Sequence, residues 1–201
     1  MTTPPLPAGR AWQRMLSGRR LDLLDPSPLD VELEDIAHGL ARVARWNGQT
    51  NGDHAFSVAQ HSILVERIFT LQRPSATRDE RLAALLHDAP EYVIGDMISP
   101  FKQVLGGNYR DVEARLESAI HQRFGLPTAL PVRLKKTIKL ADGAAAWFEA
   151  TLLAGFSAEE AKKHFTRPTG LSADHLPLTP WSTAEAQQHF MTRYQELDAL
   201  Q

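Results

Sequence analysis

Apolar residues recur at steps of three and four along most of this chain, and nowhere do they alternate over a useful length. That period builds helices with one buried stripe, whereas sheets need a period of two. Leu33, Ile36, Leu40 and Val43 mark a helix to about Ala44, and Val58, Val65, Ile68 and Phe69 mark a second over roughly 54–72. Thr77 and Glu80 have the spacing of a capping box and open a third helix carrying Leu82, Leu85 and Leu86. Pro90 disfavours helical angles at Ala89, so that helix should end or kink near Asp88. Further helices are expected at about 108–124, ending at Gly125, and 131–154, ending at Gly155. Ser157 opens a short one, and Thr183 the last. Residues 45–53 read as a loop, with Asn47-Gly48 and Asn51-Gly52 as turn signals, and the proline-bearing stretch 166–182 as irregular. The expected fold is therefore all-α, a helical bundle or globule of about six to eight helices. Residues 1–30 read as an N-terminal tail and connector, and 31–201 as one domain.

The chain has 201 residues, enough to bury a full core. Its formal net charge of −2 argues against a broad nucleic-acid or anionic-membrane surface, though not against a local phosphate pocket. It contains no cysteine, so any metal must be held by His, Asp and Glu. No segment resembles a signal peptide or a spanning helix, which leaves a cytoplasmic location as the default expectation.

The chemistry concentrates in "LAALLHDAPEYVIGDMISPFK", residues 82–102. An apolar helix ends there in His87 and Asp88. A histidine suits the negative end of a helix, but an aspartate does not. His61 lies mid-helix with apolar flanks, where a lone histidine is more often a core residue with one hydrogen-bond partner. Asp142, in "IKLADGAAAWFEA", shares a helix face with Ile138, Ala145 and Glu149. A buried aspartate there needs either a basic partner or a cation. His61, His87, Asp88 and Asp142 are nitrogen and oxygen donors of the kinds that take divalent metals. Spacing alone does not bring them together, because they come from three helices.

An isolated histidine, a His-Asp pair closing a helix and an aspartate inside a later helix resemble the HD-domain metal-dependent phosphohydrolase superfamily. "RW" at 45–46, "QHS" at 60–62, "HDAPE" at 87–91, "GDMISPFK" at 95–102 and "KLAD" at 139–142 resemble its 5'-deoxynucleotidase branch, over about residues 36–150. The resemblance implies an HD-domain fold and one divalent ion (manganese, cobalt, zinc or iron) on His61, His87, Asp88 and Asp142. It implies Glu91 as the catalytic glutamate, Arg45 as the phosphate-gripping arginine and Asp96 as an acid near the sugar and leaving group. A homodimer is implied as well. The physics is compatible: a dication acidifies water and draws charge from phosphoryl oxygens, and the guanidinium fork matches phosphate. Trp46 could wall the sugar or base. Lys102 either adds a positive charge or is a solvated surface lysine. His54, two helical turns before His61, is expected on the same face, in a supporting or surface role.

Two classes of function follow. The first is hydrolysis of deoxynucleoside 5'-monophosphates to nucleoside and phosphate, with a deoxynucleoside triphosphate triphosphohydrolase as a close variant. The second is a non-catalytic helical module that binds metal or nucleotide and regulates a partner. Such a module has no need of Glu91 and Arg45, and both are present.

Overall fold

Ser57 stands in an extended conformation and its hydroxyl accepts from the Gln60 amide, which starts the central helix α2 (Val58–Gln72). Apolar residues line nearly every face of that helix, so it can only be a core element. A computed structural model describes residues 11–97 and 107–200. Among them, α2 is packed by α3 (Arg78–Leu85), α6 (Val132–Leu152) and α8 (Thr183–Asp198). The other helices are α1 (Leu33–Leu40), α4 (Glu91–Ile94), α5 (Gly107–Arg123) and α7 (Ala158–Ala161). The fold is all-α apart from one two-stranded hairpin. Among the described residues no helix is long and apolar enough to cross a membrane.

The capping box at Thr77/Glu80 forms as expected, and two more close Ser157 with Glu160 and Ser182 with Glu185. Gly125 and Gly155 take positive φ after α5 and α6. The differences lie where tertiary pairing overrides local preference. Helix α1 stops at Leu40, not Ala44. The Arg42 and Val43 amides turn back onto the Gly39 carbonyl at 2.9 and 3.1 Å. The chain then runs extended beside 56–58, with Arg45 N–H on the Phe56 carbonyl at 2.8 Å and Val58 N–H on the Val43 carbonyl at 2.9 Å. The same pairing delays α2 to Val58. His54 is therefore not two turns back on the face of His61; it lies in an exposed bend before the helix.

The reading of 1–30 as tail and connector also needs correction. Strands β1 (Trp12–Arg14) and β2 (Arg20–Asp22) pair antiparallel with Gln13 opposite Leu21. Leu21 is fully buried and Met15 nearly so. Asp35, buried in α1, anchors the turn by accepting from the Ser17 amide at 3.0 Å and its hydroxyl at 2.5 Å. Three-residue strands are too short to show alternation, so periodicity passes over them. Residues 1–10 lie outside the described residues.

Two contacts set the frame around α2. Glu66, fully buried, takes a two-pronged pair from Arg193, Nε and Nη2 each at 2.8 Å, which locks α8 to α2. Gln60, also buried, donates to the Pro177 and Thr179 carbonyls at 2.9 and 2.7 Å and accepts from the Trp181 amide at 3.0 Å. That clamp holds part of the irregular stretch 166–182.

Helix α4 is held by close approach to α1. A Cβ added at Gly39 would lie 2.8 Å from both Cβ and the carbonyl oxygen of Tyr92. Backbone cannot yield as a side-chain tip can. On an open helix Gly→Ala would stabilise by ~1 kcal/mol. Gly39→Ala is expected to do the reverse, with a loss of ~1–3 kcal/mol from overpacking, read by urea unfolding against the parent.

Candidate metal and phosphate site

Three elements converge on one cluster. Helix α2 supplies His61, the turn after α3 supplies His87 and Asp88, and α6 supplies Asp142. His61 Nε2 lies 3.4 Å from Asp88 Oδ2 and 3.4 Å from Asp142 Oδ1. His87 Nε2 lies 3.2 Å from Asp88 Oδ2. One donor atom from each of His61, His87 and Asp88 falls within 4.8 Å of the others, and Asp142 adjoins from the His61 side.

The imidazole orientations are decided by their outer nitrogens. His87 Nδ1 faces the Ala84 carbonyl at 2.9 Å. A carbonyl can only accept, so Nδ1 carries a proton and Nε2 is the ring nitrogen left to face the site. His61 Nδ1 faces Glu149 Oε1 at 2.6 Å, with the same result when that carboxylate is ionised. Both Nε2 atoms are buried, aimed inward and without a hydrogen-bond partner. Two inward imidazole nitrogens set among carboxylate oxygens make a donor set that could hold a divalent cation. Bonds of ~2.0–2.2 Å at angles of ~90–110° put neighbouring donors ~2.8–3.6 Å apart. The three nitrogen–oxygen separations of 3.2–3.4 Å lie inside that range. The residues fit a metal.

The electrostatics ask for positive charge at the same point. Lost hydration and the Arg45 charge push the His61 pKa down, but Glu149, Asp142 and Asp88 together raise it well above the ordinary value. Lost hydration opposes the Asp88 and Asp142 charges, yet His61 and His87 hold both carboxyls below the usual range. Burial likewise opposes Glu149, and His61, Arg45 and Trp46 bring it down to about 2.

Beside this cluster lies the turn Arg45–Gly48. Arg45 is gripped by two carboxylates: Nη1 donates to Asp96 Oδ2 at 3.0 Å and Nε faces Glu149 Oε2 at 3.4 Å. Its side chain keeps 14% exposure, so the fork is held but not sealed. Trp46 and Asn47 take left-handed angles, φ 57° and 52°. Asparagine tolerates these; a tryptophan adopts them only when its surroundings insist. Here the indole N–H donates to Glu149 Oε2 at 2.8 Å, and the ring leans on Phe156 and Phe165, each 5.8 Å away centre to centre.

Glu91 sits at the start of α4, three residues past Asp88, and is 3% exposed. Asp96 is the Arg45 partner just described. Lys102 lies outside the described residues. His54, exposed, does not join the cluster. Two further residues enter with the structure. Lys139 Nζ donates to Asp142 Oδ2 at 2.7 Å, placing an otherwise exposed ammonium at the edge of the site. Glu149 is fully buried and touches His61, Arg45 and Trp46 at once. The available signal for Glu149 was its seven-residue step from Asp142, two helical turns on one face of α6.

The chain is 54% identical over 188 residues to an uncharacterized protein of Rhodobacter capsulatus, RCAP_rcc00048, covering 94% of this chain and 96% of that one. This chain belongs to the same family. A second relative, the uncharacterized protein YfdR of Escherichia coli, is 31% identical over 114 residues, 56% of this chain and 58% of YfdR. No family model matches. The alignment with the Rhodobacter relative spans nearly the whole length of both chains.

Removing one partner of a buried ion pair strands the other. Arg45→Met removes the cation that Glu149 and Asp96 share. It is expected to cost ~3–5 kcal/mol, measured by urea unfolding. Arg45→Met combined with Glu149→Gln is expected to lose less than the sum of the two single changes.

Proposed function

We propose that this protein is a metal-dependent phosphohydrolase of the HD-domain type that converts deoxynucleoside 5'-monophosphates to nucleoside and phosphate. The observation that carries the reading is the pair of inward, partnerless Nε2 atoms of His61 and His87 set against Asp88, with Asp142 at one side. The Arg45 fork stands beside the same group of carboxylates. Each is the residue type that the motif resemblance assigns to that role.

His61, His87, Asp88 and Asp142 would hold the cation. When bound, it would acidify a water and draw charge from the phosphoryl oxygens. Arg45 and Lys139 supply the protein's own positive charge to the phosphate, the first as a planar fork and the second as a point charge. Glu91, buried at the start of α4, is the base that takes a proton from the attacking water. The water oxygen forms a bond to phosphorus as the bond from phosphorus to the 5'-oxygen breaks. That oxygen leaves as the nucleoside hydroxyl by taking up one proton, which balances the one Glu91 removes from the water; Asp96, held by Arg45, is the carboxylate that the motif resemblance assigns to that end. The Trp46, Phe156 and Phe165 rings supply apolar surface for a sugar or base.

Charge favours a monophosphate over a triphosphate. A triphosphate calls for more cations near Arg45, and Arg42 is the nearest in sequence. Its Nη1 is turned away onto the His38 carbonyl at 2.8 Å and Gln187 at 3.1 Å. Among the described residues that leaves Arg45 and Lys139 at the site.

The test is phosphate release from a panel of deoxynucleoside mono- and triphosphates with manganese, cobalt, zinc or iron. Glu91→Gln is expected to keep its metal and its fold and to lose ~10²–10⁴ in turnover. Asp142→Asn is expected to lose metal and activity together. A parent that binds metal and nucleotide but hydrolyses none of the panel would make the protein a non-catalytic regulatory module. Triphosphate release from triphosphates alone would move the substrate to that variant.

A further inference from the structure

Glu149 has each oxygen engaged differently. Oε1 takes the Nδ1 proton of His61 at 2.6 Å. Oε2 takes the Trp46 indole proton at 2.8 Å and faces Arg45 Nε at 3.4 Å. The side chain is fully buried, so no water can substitute for any of these partners. We infer that Glu149 is a positioning residue that joins the cation site to the phosphate site, fixing His61 on one side and the Arg45–Trp46 turn on the other. This rests on the metal-dependent reading of the preceding section.

A counter-charge for Arg45 alone would not require this arrangement, because Asp96 already pairs with Arg45 at 3.0 Å. What Glu149 adds is the tautomer of His61. A carboxylate at Nδ1 keeps a proton there and leaves Nε2 as the nitrogen that faces Asp88 and Asp142 and can be given to a cation. Its other oxygen holds Trp46 in a left-handed conformation that the backbone disfavours, and this keeps Arg45 beside the cluster. Asp142 and Glu149 are two turns apart on α6. One helix face thus supplies a proposed ligand and the support of another.

Only an anion satisfies both sides, which makes glutamine an informative replacement. With its amide oxygen toward His61, its NH₂ meets the N–H groups of Trp46 and Arg45, donor against donor. Turned over, the NH₂ meets His61 Nδ1 and drives the ring proton to Nε2, the atom that should ligate. Either way one half of the site is lost. A carboxylate that only neutralised charge would leave both halves intact in any variant that folds.

The experiment measures manganese binding by calorimetry, and inorganic phosphate binding at saturating manganese, for the parent and Glu149→Gln. Circular dichroism establishes that each is folded at the working temperature. Glu149→Gln is expected to lose ~10–100-fold in manganese affinity, or to keep manganese and lose phosphate affinity by a similar factor. Unchanged affinity for both in a folded variant overturns the inference alone. A parent that binds no manganese overturns the metal reading, and this inference with it. If Glu149→Gln does not fold, Trp46→Phe decides, since it deletes one donor to Oε2 and keeps the ring. It is expected to weaken phosphate binding and spare manganese. Parent-like phosphate binding in that variant overturns the inference.

Discussion

Helix α2 is buried on nearly every face, yet Gln60, His61, Ser62 and Glu66 on it are polar and buried. Such groups are expensive unless something meets them, and much of the surrounding fold does so. Glu66 is met by Arg193, which fixes α8. Gln60 is met by main-chain groups at 177, 179 and 181, which fixes part of the irregular stretch. His61 is met on one side by Glu149, and its other nitrogen is left facing Asp88 and Asp142. With Gln60 and Glu66 spent on the scaffold, His61 turns its open nitrogen to a site.

The surroundings of the site depend on α1, the 45–48 turn and α4 as well. The chain after α1 gives up helix to pair with 56–58, which carries Arg45 and Trp46 to the start of α2. The close contact of Gly39 with Tyr92 sets α4 against α1 and so places Glu91. Neither feature is a ligand. Both determine whether the His-Asp cluster and the Arg45 fork share one space.

The carboxylates outnumber the cations in this region, and the consequences are visible at His61, Arg45 and Lys139. Asp88, Asp142 and Glu149 raise His61, while Arg45 is pushed further up by Glu149, Asp96, Asp88 and Asp142 in spite of its burial. Lys139 is raised chiefly by Asp142. This excess of negative charge, gathered around inward imidazole nitrogens, is what a bound dication would relieve.

Much of this was open to a reader of the residues. The helical period, the capping box at Thr77, the helix start at Ser157, the glycine stops and the donor identities of His61, His87, Asp88 and Asp142 follow from local chemistry, because propensity and periodicity are properties of neighbouring residues. The hairpin at 12–22 and the late start of α2 do not, because hydrogen bonds to distant segments decide them. His54 was misplaced for that reason, and Glu149 passed without a role. The type of each donor is written in one residue, but which nitrogen of His61 is free is settled by a carboxylate 88 positions away. Only the packing of α2 against α6 brings that carboxylate to the ring.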